Sequence, residues 1–240
     1  MEPWVIALTL VAVVVSFTIS ASAGLGGSLI LVPTLALVLG TKEGVALAAL
    51  LLALNNVVKV IAYRRTLPFK KAFLVIILVA LGAVLGARLL VAAPEEIVTV
   101  AVIVSFAVAL IAERMDLSRL RTAGGPVLAF GAGATSGFSG TSGPLKGMAI
   151  RQLDLDRAHF VGAASLASLA GDTAKTAVFA EAQLLGSSSV LVALLAAPLM
   201  VLSTFAGRRI NHTIGERGYT VLFWAVMTGY TLRLVIGLVS

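Results

Sequence analysis

Five residues with chemistry to offer stand inside runs that are otherwise almost wholly apolar. Asn55, Asn56 and Lys59 lie in the run 45–63, and Asp172 and Lys175 lie in the run 158–180. At ~1.5 Å per helical residue, Asn55 and Asn56 sit ~16 Å along their run and Asp172 ~21 Å along its own. Both depths fall at or a little past the middle of a hydrocarbon layer ~30 Å thick. A charge at that depth is costly unless it is paired or wetted, so it points to function by default. Asp172 and Lys175 are three residues apart on one helix and can neutralise each other, which is the purely structural reading. The sharper reading makes Lys59 and Lys175 attract an anion and gives Asp172 a coupling proton to carry.

Two glycine-rich breaks supply a second kind of chemistry. The first is Ala21-Ser22-Ala23-Gly24-Leu25-Gly26-Gly27-Ser28, running on to Pro33; the second is Ser136-Gly137-Phe138-Ser139-Gly140-Thr141-Ser142-Gly143-Pro144. A break in a membrane helix frees backbone N–H and C=O groups that hydrocarbon cannot satisfy. Those groups must be buried in protein or face a wet cavity. A short helix starting at Ser28 or Pro144 aims its unpaired N–H groups and its dipole at the bilayer centre, where they favour an anion. Gly24, Gly26, Gly27, Gly140 and Gly143 let the backbone approach a ligand, while Ser22, Ser28, Ser139, Thr141 and Ser142 add hydroxyl donors. The expectation is that the two breaks meet and form the site. The plainer alternative is that the glycines serve only tight helix packing.

The elements that must hold these residues are membrane helices. The chain has 240 residues, 59% hydrophobic and 12% charged, with a mean hydropathy of +1.06. A soluble domain carries roughly twice that charged fraction. Apolar runs fall at 4–20, 29–39, 45–63, 72–91, 97–112, 126–135, 145–150, 158–180, 190–206 and 219–239. They do not alternate as barrel strands would. The absence of cysteine excludes thiol chemistry and soft metal ligands. The small residues Ala21-Ser22-Ala23 resemble a signal-peptidase site, but Met1-Glu2-Pro3-Trp4 is an acidic start, so the first run reads as retained.

The net charge of +7 reads first as a cytoplasmic loop excess rather than a nucleic-acid surface. Arg64, Arg65, Lys70 and Lys71 place one loop inside. Arg114, Arg119 and Arg121 place the midpoint there, as do the clusters Lys146, Arg151, Arg157 and Arg208, Arg209, Arg217. Glu2, Glu43, Glu95, Glu96 and Glu181 mark the opposite side, with both termini on it. Arg88 and Arg233, near outer helix ends, read as snorkelling side chains. Residues 4–39 then form a hairpin entering from outside, and residues 126–150 one entering from the cytoplasm. Each hairpin is followed by three spanning helices, and an odd number inverts the second half. The expected fold is an all-α polytopic membrane protein of two inverted-topology repeats, 1–118 and 119–240. Each repeat is a re-entrant or broken helical hairpin plus three transmembrane helices. A shift of 116 positions superposes Gly24 on Gly140, Gly27 on Gly143, Val45 on Val161, Asn56 on Asp172 and Lys59 on Lys175. Inverted repeats with broken helices and a midplane site are the mark of secondary transporters.

The G-x-G-G segment with its apolar stretch and Pro33, repeated in a second half, resembles the TauE/SafE sulfite exporter family of small permeases. Gly24, Gly26, Gly27 and Pro33 match the first motif, and Gly140 and Gly143 the second, where Thr141-Ser142 replace further glycines. The resemblance implies transport of sulfite, sulfonates or related organosulfur anions, often as export, across the cell membrane. The expected function is therefore a secondary anion transporter working by alternating access, with substrate contacts from Gly24, Gly26, Gly27, Ser28, Asn55, Asn56, Lys59, Gly140, Thr141, Ser142, Gly143 and Lys175. Asp172 is the coupling candidate, and no cofactor is expected. The alternatives are a non-transporting assembly subunit and a cation or metal carrier; the latter would favour carboxylates over two lysines. An intramembrane enzyme would need a triad, an acid pair or a metal at mid-depth, and one acid without a buried histidine does not provide it. The pattern leaves the particular anion, the direction and the oligomeric state open, a homo-oligomer included.

Overall fold

A computed structural model of the chain describes residues 2–23, 27–114 and 124–213. Every regular element among them is helical: α1 (Pro3–Ala23), α2 (Gly27–Leu39), α3 (Thr41–Ala62), α4 (Phe69–Ala92), α5 (Glu95–Arg114), α6 (Gly125–Ser139), α7 (Gly143–Arg151), α8 (Arg157–Glu181) and α9 (Ser187–Thr213), with one 3-10 turn at Arg64–Thr66 between α3 and α4. The apolar runs of the sequence fall on these helices one for one. The run 219–239, with Arg233, lies outside the described residues, as do Arg119, Arg121 and Arg217.

Local chemistry sets the helix boundaries. Pro126 and Pro144 stand in the first turns of α6 and α7, where the missing N–H costs nothing. Asp156 caps α8 by accepting from the His159 backbone N–H at 2.9 Å. α6 stops at Gly140, whose φ of +79° is the left-handed conformation that glycine adopts without penalty. A Cβ there would also press within 2.7 Å of Val32 on α2.

Three described helices are long and apolar enough to cross a membrane: Thr41–Ala62, Phe69–Ala92 and Ser187–Gly207. The first has 61% of its most apolar window buried and the other two 39%, so α3 is interior while α4 and α9 present a face outward. On α4 that face is a stripe every fourth residue, Phe73, Ile77, Leu81, Leu85 and Leu89, all exposed, as a lipid-facing helix requires. The 25-residue α8 is as long as a span, but its inward face carries Ser165, Ser168, Asp172 and Lys175, all buried.

Small residues bring the helices together. On α4, a Cβ added at Gly82 would collide with the Phe130 carbonyl oxygen of α6, and one at Gly86 with that of Ala134. Reciprocally, Gly133 and Gly137 of α6 lie against the carbonyls of Val79 and Ala83. Two small-xxx-small motifs thus interlock, the close approach that drives helix association in lipid. Gly207 of α9 sits in the same manner against the Thr18 carbonyl of α1. Helix α4 therefore clasps α6, and α9 clasps α1.

The two ends of the bundle are chemically distinct. At one, the Thr41 N–H donates to Glu95 Oε1 at 2.8 Å, the hydroxyls of Thr41 and Thr99 meet at 2.6 Å, and Lys42 Nζ donates to the Val91 carbonyl. At the other, the α3–α4 and α7–α8 connections enclose an open cleft lined in part by Lys70, Lys71, Asp154, Asp156 and His159.

Candidate functional site

Helices α3 and α8 cross at the centre and bring the polar residues of both apolar runs together. Asn56 Nδ2 donates to Asp172 Oδ2 at 2.7 Å. Lys175 Nζ meets the other oxygen, Oδ1, at 2.8 Å. Both carboxylate oxygens are thereby engaged, one by an amide and one by an ammonium. Lys59 and Lys175 are 2% and 1% exposed, so neither snorkels to an interface. The structural pairing expected for Asp172 and Lys175 is present, with Asn56 added to it.

Each buried lysine also bonds a serine near the end of an earlier helix. Lys59 Nζ donates to Ser20 Oγ at 3.3 Å near the end of α1. Lys175 Nζ donates to Ser136 Oγ at 3.0 Å and to the Ser136 carbonyl at 3.3 Å near the end of α6. A helix that stops inside the bilayer leaves carbonyls without intrahelical partners and a negative dipole end. A lysine aimed there answers both. Tyr63 adds to the support by donating from its hydroxyl to the Ala21 carbonyl at 3.3 Å. With bonds to Asp172 Oδ1, Ser136 Oγ and the Ser136 carbonyl, Lys175 uses all three of its N–H donors.

The two breaks meet. Ser28 Oγ, in the first turn of α2, lies 3.2 Å from Thr141 Oγ1 at the tip of the second hairpin. Gly27 packs against Ser20, where a Cβ would come within 3.0 Å of the serine side chain. Ser139 donates to the Thr135 carbonyl at 2.9 Å, and Ser142 is buried at the start of α7. Gly24 and Gly26 lie outside the described residues, and at Ser22, Gly143 and Pro144 the description is confined to the backbone.

Asn55 takes a different direction from its neighbour. Its Oδ1 accepts from Thr204 Oγ1 of α9 at 2.9 Å, while its Nδ2 is buried without a hydrogen-bond partner among the described residues. One helical residue rotates by about 100°, which separates Asn55, facing α9, from Asn56, facing α8.

Lys146 is the residue that the sequence pattern misplaces. Its charge groups it with Arg151 and Arg157 as a loop cation, yet it lies on α7, and its Nζ donates to Ser168 Oγ of α8 at 2.7 Å. The nine-residue α7 is ~14 Å long, too short to carry Lys146 away from the interior. Lys146 stands within Coulombic reach of Asp172, Lys175 and Lys59. Among the described residues the cluster therefore holds three lysines and one carboxyl group. Ser20, Ser136 and Ser168, the hydroxyls that orient them, also escape the sequence reading. Ser20 and Ser136 carry a usable signal, since they are related by the same shift as Lys59 and Lys175; Ser168 has no such mark, because Leu52 stands at the related position.

A chain whose described regular elements are all helices, with membrane-length apolar helices packed round a buried charged cluster, is a membrane protein with an internal polar site. The family model described as sulfite exporter TauE/SafE matches residues 8–234, and the chain belongs to that family. No curated protein and no solved structure matches the chain at a significant level. The family is one of membrane transport proteins.

Proposed function

We propose that this protein is a secondary transporter of small sulfur oxyanions, sulfite or organosulfonates among them, working by alternating access around the cluster of Lys59, Lys146, Asp172 and Lys175. The observation that carries the reading is the composition of that cluster among the described residues: three lysines stand with one carboxyl group, beside the point where the hairpin tips touch. An uncompensated charge at the bilayer centre costs about 2.5–3.5 kcal/mol on insertion scales. A bound anion relieves that cost, whereas a cation adds to it. Serine and threonine hydroxyls, with the N-terminal N–H groups of α2 and α7, suit oxygens that accept several hydrogen bonds.

Alternating access needs two arrangements of similar energy, and an inverted repeat supplies them. We read residues 1–118 and 119–240 as such repeats. Two equivalences support this. The Lys59–Ser20 contact repeats as Lys175–Ser136, and the Gly86–Ala134 contact repeats as Gly207–Thr18. On this reading both termini lie outside the cell membrane. Asp172 is the coupling group: a proton on Oδ2 is donated to the Asn56 carbonyl once that amide turns over, which leaves Lys175 in place.

The test is a thermal-shift series in detergent with sulfite, sulfate, thiosulfate, sulfoacetate, taurine and short carboxylates. Sulfur oxyanions are expected to raise Tm in a saturable way. Stabilisation by divalent cations with none by any anion sinks the proposal.

A further inference from the structure

We infer that the cleft between the α3–α4 and α7–α8 connections binds the headgroup of a zwitterionic, ethanolamine-type phospholipid, with Lys70 and Lys71 taking the phosphate and Asp154 the ammonium. The position of the cleft argues for a lipid. Phe69 lines it and opens α4, the helix whose apolar span runs to Ala92. Phe69 is itself exposed, and the outward stripe of α4 continues from it at every fourth residue through Phe73, Ile77 and Leu81. The cleft therefore stands at the end of a lipid-facing surface, where the hydrocarbon layer gives way to headgroups. An acyl chain lying on the stripe delivers its headgroup to the cleft. The cleft encloses about 480 Å³, a size usual for small-ligand sites.

The walls are held from below. A Cβ at Gly162 of α8 would collide with the Thr66 carbonyl oxygen, so the α3–α4 connection lies directly on α8. Leu155, in the lining, packs against the core cluster that includes Ala72 and Val75 of α4. Both connections thus rest on one apolar base, which sets the width of the cleft.

The charges select the headgroup. Two lysines and two aspartates line the same space. A free anion or an acidic lipid meets the aspartates as well as the lysines, and a cation meets the reverse; a zwitterion satisfies both signs. The two acids are not equivalent. Asp156 is committed to His159, its Oδ1 accepting from the backbone N–H at 2.9 Å and its Oδ2 lying 2.6 Å from Nδ1. Asp154 has no such partner among the described residues. It is exposed, at a φ of +48° that aspartate and asparagine adopt more readily than most side chains. Asp154 is thus the carboxylate open to an ammonium. Lys70 and Lys71, exposed in the first turn of α4, are open to a phosphate. An ethanolamine ammonium carries three N–H donors, as a lysine does, whereas the methylated nitrogen of choline carries none.

Purified full-length protein in detergent is titrated with dioleoyl phosphatidylethanolamine, with the choline and glycerol lipids of the same acyl chains, and with soluble glycerophosphoethanolamine, following Tm. The variants are Lys70→Gln/Lys71→Gln and Asp154→Asn, the second chosen because asparagine accepts the positive φ. These side chains are exposed, so Tm without added lipid should stay near that of wild type. The ethanolamine lipid is expected to stabilise wild type saturably, at a concentration about fivefold or more below that of either other lipid. Asp154→Asn should bring it to the level of the choline lipid and leave the choline lipid within about twofold. The double lysine variant should weaken both. Equal action of the ethanolamine and choline lipids on wild type, a preference for the glycerol lipid, or an unchanged lipid response in either variant overturns the inference. Glycerophosphoethanolamine acting at the same concentration as the intact lipid also overturns it, since the cleft is then a site for a soluble zwitterion. So does a wild type that no lipid stabilises.

Discussion

The amide of Asn56 donates to the carboxylate of Asp172 across 2.7 Å, and the two residues stand 116 positions apart in the chain. The same interval separates Lys59 from Lys175 and Ser20 from Ser136, and each lysine reaches the serine 39 residues before it. The contact between a lysine and a serine is therefore made twice, once from α3 and once from α8, with an amide at position 56 and an acid at position 172. That single difference gives the pair a hydrogen bond and leaves one carboxylate among the cations.

Asp172→Asn tests the coupling role. With the carboxylate gone, transport in proteoliposomes should lose its dependence on an imposed pH gradient while substrate still binds. A variant whose pH dependence equals that of wild type removes Asp172 from the proton path.

Lys175→Met strands a carboxylate that is 7% exposed at residue level. Removing one partner of a buried ion pair costs about 3–5 kcal/mol, which at this chain length lowers Tm on the order of 10 °C. In Asp172→Asn/Lys175→Met the cost should fall well short of the sum of the single changes, because neither charge is left alone. Additive losses in the double-mutant cycle would mean the pair contributes nothing beyond its separate contacts.

The contact between the hairpin tips is open to cross-linking. Ser28→Cys/Thr141→Cys places thiols where the hydroxyls are 3.2 Å apart, in a chain with no native cysteine. Oxidation should form an intramolecular disulfide and stop transport, and reduction should restore it. No mobility shift after oxidation and proteolytic nicking in the α3–α4 connection would count against the meeting of the tips.

The interlocked glycines of α4 and α6 predict a position-specific sensitivity. Gly86→Leu or Gly137→Leu drives a side chain into the opposite backbone, and overpacking of this kind costs typically about 1–3 kcal/mol and occasionally more. Gly186→Leu, where a Cβ meets nothing within 4 Å, should leave Tm unchanged. Similar Tm values for all three would remove the zipper from the account of stability.

At the lysine-rich end, the backbone hydrogen bond from His159, with its side-chain bond, holds the Asp156 carboxyl below its usual 3.8. A depressed carboxylate contributes stability that is complete above its unfolded value and is lost as the pH falls through the lower folded value. The Tm difference between wild type and Asp156→Ala should therefore be present at pH 7 and shrink as the pH drops below 3.8. A difference that is constant over that range would assign the effect to packing instead.

Much of this was legible in the residues. Apolar runs and glycine breaks announce helices and hairpins because hydrocarbon admits few other backbone solutions. Asn56, Lys59, Asp172 and Lys175 stand out because charge and amide groups at mid-depth have to be explained. Asn55 and Asn56 look equivalent in a list, and the helical rotation between them, visible only with α8 and α9 in place, sends them to different neighbours. Lys146 was hidden for a related reason: loop cations and site cations share a residue type, and two arginines nearby outvote one lysine. The serines were hidden because hydroxyls are common in membrane helices, and which of them meets a lysine depends on how α3 and α8 cross.

The clasp of α9 on α1 through Gly207 and Thr18 sets the order in which the protein can be made. As the chain leaves the ribosome, the first hairpin enters the membrane long before its partner helix exists. Until α9 is synthesised, the Thr18 carbonyl lacks its Gly207 neighbour, whereas the second hairpin finds α4 already waiting. Helix α1, already held at Ser20 by Lys59 and at Ala21 by Tyr63, thus gains its α9 contact late. A nascent chain stalled before α9 should present α1 to quality-control proteases, and the second half supplied as a separate polypeptide should rescue it.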